Sequence, residues 1–336
     1  MSTTWGLQGD VGALLDALYR IDLEDRPWLE GIMEAAAPLA PGALTTIAGR
    51  YVWTPGQAGF TPRVMVSQDP RAAMRAVETA DTADDLFMSS TLGSERRVYS
   101  VREVLGERLE SSTVTVLMRE FGVADIFGVQ TVAHGQSHEG AFIAALCAEP
   151  VALQPRGATT FDRVASHLAA ATRLRTEGLE AHPTEGVLTP DGRLAHAEGV
   201  ARTPEHQDAL ARAVRAIDRA RRRDARTDPE ALLDAWRAIV ERRWTLSDVV
   251  ESDGRRFMLA RVNPPAALAH AMLTAREREV AALLVQGVPQ KAVGYELDMA
   301  PSTVGFHVKN IARKLGVRSR PELVRLLASG RAGPTR

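Results

Sequence analysis

The chain has 336 residues, 45% of them apolar and 25% charged, and a formal net charge of −1. That length suits roughly two or three domains, and the composition is that of a globular chain rather than a disordered one. The longest clean apolar run, Ala141 to Ala148, falls far short of the ~20 residues of a membrane helix, and the single cysteine, Cys147, excludes an internal disulfide or a multi-thiolate metal site.

No basic cluster leads into an apolar stretch near Met1, so a cytoplasmic protein without membrane contact is expected. The near-neutral total hides an asymmetry. Residues 270–336 hold eleven Lys/Arg against five Asp/Glu, a net of +6. The whole chain has 41 against 42, which leaves 30 against 37, a net of −7, for residues 1–269. A basic module on an acidic body is the pattern of a chain whose one end meets a polyanion.

In chain order, residues 1–176 begin with helical periodicity in VGALLDALYR and WLEGIMEAAA. LTTIAGRYVW and PRVMVS read as strands, RAAMRAVETA and SSTVTVLMREF as helices. ADIFGVQTVAH and GAFIAALCA read as two strands around the polar turn Gly135 to His138. His134, His138 and Glu139 cluster there, but in a loop their spacing gives no shared helical face, and no metal site is expected. FDRVASHLAAATRLR closes the unit, with Phe161, Val164, Leu168 and Ala171 in an apolar stripe available for joining two copies of the chain.

Residues 184–264 form a smaller unit. GVLTPDGRLAHAEG reads as a hairpin turning at Pro190, Asp191 and Gly192. Helices are expected at 205–223 and 229–242, and the strands WTLSDVVES and RRFMLARVN turn at Asp253-Gly254. Asp218 and Asp224 interrupt the run Arg219, Arg221, Arg222 and Arg223, which reads as a solvated helix face. Asn263-Pro264-Pro265 is a linker, since two prolines oppose both helix and strand.

The last module, 268–332, reads as four short helices. Thr274 and Glu277 make a capping box ahead of Val280, Leu283 and Leu284, and Gly287 stops that helix. Pro289 opens a second helix burying Val293 and Leu297. Pro301 opens a third with Val304, Val308, Ile311 and Leu315 on one stripe, ended at Gly316. Ser319 and Glu322 form another capping box before Leu323, Leu326 and Leu327. The tight turn between the middle helices gives a helix-turn-helix layout.

"LTAREREVAALLVQG", "STVGFHVKNIARKLGVRSR" and "PELVRLL" closely resemble the LuxR-type DNA-binding domain over about residues 271–330. Leu273, Thr274, Glu277, Val280, Gly287, Thr303, Val304, His307, Ile311, Lys314, Leu315, Gly316, Ser319 and Arg320 fall in register. Ala292, Gly294 and Ala300 depart from the family's glutamate, alanine and serine. The lost cap and the interior glycine each imply roughly 1 kcal/mol less stability.

The resemblance implies that the third helix enters the major groove of double-stranded DNA. Gly305, Phe306 and Lys309 then face base edges, Lys309 toward guanine O6/N7 and Phe306 toward a thymine methyl. Thr303, Asn310, Arg313, Lys314 and Lys291 fall at the phosphates. Phe306 has an equally open reading as a core residue, and His307 reads as packing.

Upstream, the element order resembles a GAF domain in 1–176 and a reduced PAS-like unit in 184–264. The expected architecture is therefore multidomain, an α+β GAF/PAS-like sensory region followed by an all-α four-helix LuxR-type domain. What it implies is a non-enzymatic transcriptional regulator acting as a homodimer, without a cofactor. RNA polymerase and an unidentified small molecule are further partners to test. The competing readings are a sigma-factor-like protein and a protein-interaction regulator that binds DNA weakly or not at all. The opposite charges of body and module further imply a resting state in which the upstream region covers the basic helix face.

Overall fold

The computed structural model describes residues 3–5, 10–40, 42–54, 59–78, 80, 83–92, 94, 96–131, 138–153, 155–177, 183–221, 244–250, 254–263, 273–315 and 317–329. The helix expected at 229–242, His134 with the 135–137 turn, Asp253, the Pro264-Pro265 link and Gly316 lie outside these residues.

After the short β1 (Thr3–Trp5), α1 (Val11–Leu18) starts at Asp10, whose carboxylate accepts from the Ala13 amide. Next come α2 (Asp25–Ala36), β2 (Ala43–Trp53), β3 (Thr61–Ser67) and α3 (Pro70–Glu78). The short pieces α4 (Asp85–Ser90), β4 (Val98–Ser100) and α5 (Val101–Leu105) have no counterpart in the sequence reading. None is long enough to complete two helical turns or a full alternation pattern. α6 (Val114–Glu120), β5 (Asp125–Gln130), β6 (His138–Cys147), β7 (Val151–Leu153) and α7 (Pro155–Glu177) complete the first unit.

Five strands form one sheet in the order β3-β2-β6-β5-β4, with every neighbouring pair antiparallel. Period-2 alternation sends residues to both faces. Ala48, Phe127, Val129 and Ile143 pack beneath α1, α2 and α7. Ile47, Tyr51, Tyr99, Phe142 and Leu146 pack with Met88, Leu105 and Met118 on the other side. Two glycines admit the tyrosines on that second face. A Cβ on Gly140 would sit 2.5 Å from Tyr51 Cζ, and one on Gly128 would sit 2.3 Å from Tyr99 Cζ.

The stripe on α7 turns inward. Phe161, Val164, Leu168, Ala171 and Leu174 are buried in the chain's own core, with Phe161 edge-on to Phe127 at 4.9 Å between ring centres. The surface expected to join two copies is thus already occupied within one.

β8 (Thr184–Leu188), β9 (Leu194–Ala197), α8 (Pro204–Arg221), β10 (Trp244–Val250) and β11 (Arg256–Val262) build a second antiparallel sheet, ordered β10-β11-β8-β9. Its hairpin turns where predicted, at Gly192 with φ +82°. Leu188, Leu210, Val214, Trp244 and Met258 belong to the same apolar cluster as Leu15, Trp28 and Leu168. The junction at 177–183 therefore divides sheets, not cores.

α9 (Ala275–Val285), α10 (Gln290–Glu296), α11 (Pro301–Leu315) and α12 (Arg320–Ser329) form the last domain around a cluster of their own. Leu323 and Leu327 of α12 are buried in that cluster, so this helix too spends its apolar face at home. The architecture is multidomain, α+β upstream and all-α at the end.

Candidate nucleic-acid interface

Local rules build the helical domain. Thr274 Oγ1 accepts from the Glu277 amide at 3.3 Å, and Glu277 Oε2 accepts from the Thr274 amide at 2.8 Å, completing the expected capping box. At the other end of α9, Gly287 takes φ +82°, and Val288 N donates to Leu283 O at 3.0 Å. That is a Schellman stop with glycine at its left-handed position. The second expected box is half formed. Ser319 accepts from the Glu322 amide, but Glu322 Oε2 reaches the Arg318 amide instead of that of Ser319.

The turn between α10 and α11 repeats the Schellman pattern with an unusual residue. Asp298 stands at φ +50°, and Met299 N donates to Gly294 O at 2.8 Å. Gly294 is buried against this turn, and a Cβ there would lie 2.7 Å from the Met299 carbonyl oxygen. From sequence alone Gly294 implies only a loss of helix stability. The structure gives it a reason, close approach of backbone to backbone. Arg276 fastens the same corner by donating to the Leu297 carbonyl and, at 2.6 Å, to Glu279 Oε2. Gln290 Nε2 donates to Pro301 O at 3.1 Å, bracing the start of α11.

This frame fixes the rotation of α11. Val304 and Ile311 are fully buried, while Thr303, Phe306, Lys309 and Arg313 are exposed. Positions 306, 309 and 313 follow i, i+3, i+7 and share one face. Phe306 is 62% exposed, which removes the core alternative for its side chain. Asn310 and His307 are half-buried. Gly305 is half-buried too and lies beside the Gln290 amide, 2.9 Å from where its Cβ would be. On α10, Lys291 is exposed and shares its face with Tyr295, which is 77% exposed. Tyr295 escaped the sequence reading because that reading followed only the buried stripe of Val293 and Leu297.

Lys314 sits apart from these residues. Its Nζ donates to Glu277 Oε2, with the two side chains 26% and 5% exposed, and so ties the end of α11 to the cap of α9. Burial works to raise the Glu277 carboxyl's pKa, but the hydrogen bonds from Lys314 and the Thr274 amide, with the Lys314 charge, hold it below its ordinary value. A depressed folded pKa means stability that is present above the unfolded value and lost as pH falls through the folded one. The Lys314–Glu277 contact is therefore a neutral-pH brace.

An exposed helix carrying an aromatic and two cations has the width and chemistry to enter a major groove and meet both base edges and phosphates. The upstream region leaves this face open in the structure. It meets the helical domain at α9 instead, where Arg278 Nη2 donates to Asp162 Oδ1 at 2.8 Å. The covering of the basic face inferred from charge asymmetry is therefore not the arrangement seen. Among the described residues no group of three or more His, Cys, Asp or Glu is placed to hold a metal ion, and no helix is long and apolar enough to cross a membrane.

Comparison with known proteins agrees with this geometry at one end of the chain. Residues 271–327 match the family of bacterial regulatory proteins, luxR family. The transcriptional regulatory protein FixJ of Rhizobium meliloti (strain 1021) is 41% identical over 63 residues, 19% of this chain and 31% of its own. The nitrate/nitrite response regulator protein NarL of Escherichia coli (strain K12) is 44% identical over 50 residues, 15% and 23% of the two chains. NarP of the same strain is 37% identical over 95 residues, 28% and 42%. The chain thus spans less than half the length of these curated relatives. Escherichia coli SdiA aligns over 94% of this chain and 96% of its own at 11% identity, but its TM-score of 0.33 carries no argument about the upstream fold. Residues 271–327, with their capped first helix, Schellman turns and outward-facing third helix, are a helix-turn-helix domain of the LuxR family.

Proposed function

We propose that the chain is a sequence-specific, double-stranded-DNA-binding transcriptional regulator. One observation carries the reading: Thr303, Phe306, Lys309 and Arg313 stand exposed on a single face of the third helix of a LuxR-family domain. Phe306 and Lys309 contact bases in this reading, while Thr303, Arg313, Asn310 and Lys291 hold the phosphates. Gly305 admits the backbone closely but reads no base, and Lys314 acts through its brace on Glu277.

Residues 268–332 are then the DNA-binding part, 1–176 a GAF-like sensor and 184–264 a PAS-like unit, in a cytoplasmic homodimer that reads a two-fold site and meets RNA polymerase there. Two copies are needed because one helix-turn-helix reads few bases. Support for the GAF-like assignment comes from the antiparallel sheet order, 2-1-5-4-3 counted along its own strands, with helices on both faces. A groove of about 330 Å³ bordered by Leu44, Asp69, Arg71, Glu120 and Phe121 has the volume of a small-molecule site.

The competing reading, a regulator that works by protein contact, draws on Gly305 and on Lys314, two positions that offer DNA no free side chain. Fluorescence anisotropy of the full chain on selected and scrambled duplexes separates the two. Lys309→Ala should cost roughly 1–3 kcal/mol on the selected site only. Arg313→Ala should weaken both duplexes alike and lower the salt slope by about one. Full-length protein that shows no salt-sensitive binding to any duplex would leave the protein-contact reading standing.

A further inference from the structure

α7 touches the chain on both sides of the connection that leads to the DNA-binding domain. Before it, Arg173 Nη2 donates to Asn263 Oδ1 at 2.7 Å, an oxygen that also accepts from Thr245 Oγ1 at 2.6 Å. After it, Asp162 pairs with Arg278 of α9 at 2.8 Å. The two anchor points on α7 are eleven residues apart, about 17 Å along a helix. The nine residues 264–272 reach about 30 Å when extended. Chain connection alone therefore does not press the domain against α7.

Nor does a shared apolar core. The cluster around Leu273, Val280, Val304, Ile311 and Leu323 draws no residue from the upstream region, and neither upstream cluster draws one from the helical domain. Among the described residues the hydrogen-bonded contact between them is polar and made by one side chain of the helical domain. The Arg278 side chain is 1% exposed. Its Nη1 donates to Leu273 O at 2.7 Å within its own domain, its Nη2 to Asp162, and its Nε finds no acceptor among the described residues. Among the described residues one carboxylate, 38% exposed, pairs with Arg278.

We propose that the Asp162–Arg278 ion pair is a releasable latch that seats the helical domain on α7, and that its opening releases the domain from α7. A guanidinium buried against a single acid is stable only while the acid is charged and in place; otherwise undocking, which returns Arg278 to water at no loss of apolar core, is the lower-energy outcome. Asp162 is well placed to transmit a signal. Phe161 and Val164 beside it are sealed into the core under β5, and the far end of α7 is pinned where Arg175 Nη2 meets Asp25 Oδ1 at 2.8 Å and covers the Trp28 ring at 4.5 Å. A shift of α7 on the sheet moves Asp162 with it. The value of such a latch for regulation rests on the DNA-binding reading above, but the latch itself is tested without DNA.

Spin labels at Glu107→Cys and Arg325→Cys, both exposed positions, report the distance between the two parts of the full chain, and the buried Cys147 stays unlabelled. The native pair should give one narrow distance distribution. Asp162→Asn, which keeps the shape of the side chain, should broaden it at least roughly twofold, as should Arg278→Met, while Asp162→Glu should keep it narrow. Unchanged circular dichroism shows that the variants remain folded. A broad distribution in the native chain, or one that stays narrow in both Asp162→Asn and Arg278→Met, overturns the latch. Loss of the latch with Lys309-dependent DNA binding intact, or the reverse, shows which of the two proposals has failed.

Discussion

The upstream region and the helical domain solve the same problem, burying apolar surface, in opposite ways. In the first 262 residues the five-stranded and four-stranded sheets and the helices between them share one cluster, so Trp28 and Leu168 in the first unit lie in the same core as Trp244 and Met258 in the second. In the last domain the cluster holds, among the described residues, eight buried apolar residues on four short helices and Leu273 just ahead of the first. The upstream core is built from contacts distant in sequence. The helical core is assembled from neighbours and held by caps. Such a division leaves the two parts of the chain with no shared apolar cluster among the described residues.

The sharpest way to break this comparison is at Trp28. Its side chain is 1% exposed, its Nε1 donates to Leu18 O at 2.9 Å, and Arg175 lies over its ring. Trp28→Ala should cost about 3–5 kcal/mol. If the upstream core is one cooperative unit, scanning calorimetry will show both sheets melting together at a lower temperature while the transition of the helical domain stays where it was. Separate melting of the 184–262 sheet would show that the shared cluster does not couple the two units.

The next effect in size should fall entirely on the other side of the joint. Gly294→Ala replaces glycine by the residue that helix propensity favours, and by the residue the family resemblance leads one to expect. The Met299 carbonyl 2.7 Å from the new Cβ reverses that preference. Chemical denaturation should show a loss of about 1–3 kcal/mol in the helical domain, the usual cost of overpacking, with the upstream transition unmoved. A gain in stability would mean that the turn relaxes freely and that Gly294 is indeed only a weak point.

Gly294 also marks the line between what the sequence made legible and what it did not. Capping boxes, helix stops and the stripe of Val304 and Ile311 are local signals: the Thr274–Glu277 box, the Schellman glycine at 287 and the stripe stand where the sequence puts them, while the Ser319–Glu322 box is half formed and Gly316 lies outside the described residues. Six of the eight residues expected to meet DNA lie at least partly open to solvent on α10 and α11, and Phe306 is turned outward. Gly305 has no side chain to offer, and Lys314 turns inward because Glu277, 37 residues away in the chain, is close in space. Upstream, the long strands and α7 were visible by alternation and periodicity, whereas α4, β4 and α5 were too short for either. The stripe on α7 was seen, but its destination was not: periodicity says that a face is apolar and not whether the chain's own sheet or a second copy covers it. Arg278 gave no sign of burial, because its acid lies 116 residues earlier.

The smallest expected effect tests the claim that the helical domain is governed by local backbone rules. Asp298 occupies φ +50° at the position where Gly287 occupies φ +82° in the preceding turn, so one domain contains the same Schellman stop with and without glycine. The left-handed conformation costs a residue with a Cβ roughly 1–2 kcal/mol, somewhat less for aspartate because its short side chain can hydrogen-bond locally. Glycine removes that cost but gives the unfolded chain more freedom, which offsets about 0.4–1 kcal/mol. The net for Asp298→Gly should be a gain of about 0.5 kcal/mol in the helical domain, read as a small rise in the denaturant midpoint at unchanged slope, with the upstream transition as internal control. The substitution also removes one negative charge beside the exposed face of α10 and α11, so binding to any duplex should tighten slightly, most at low salt. A stability loss instead would mean that the aspartate side chain holds the turn, and that this corner of the domain owes its shape to a specific contact rather than to backbone preference.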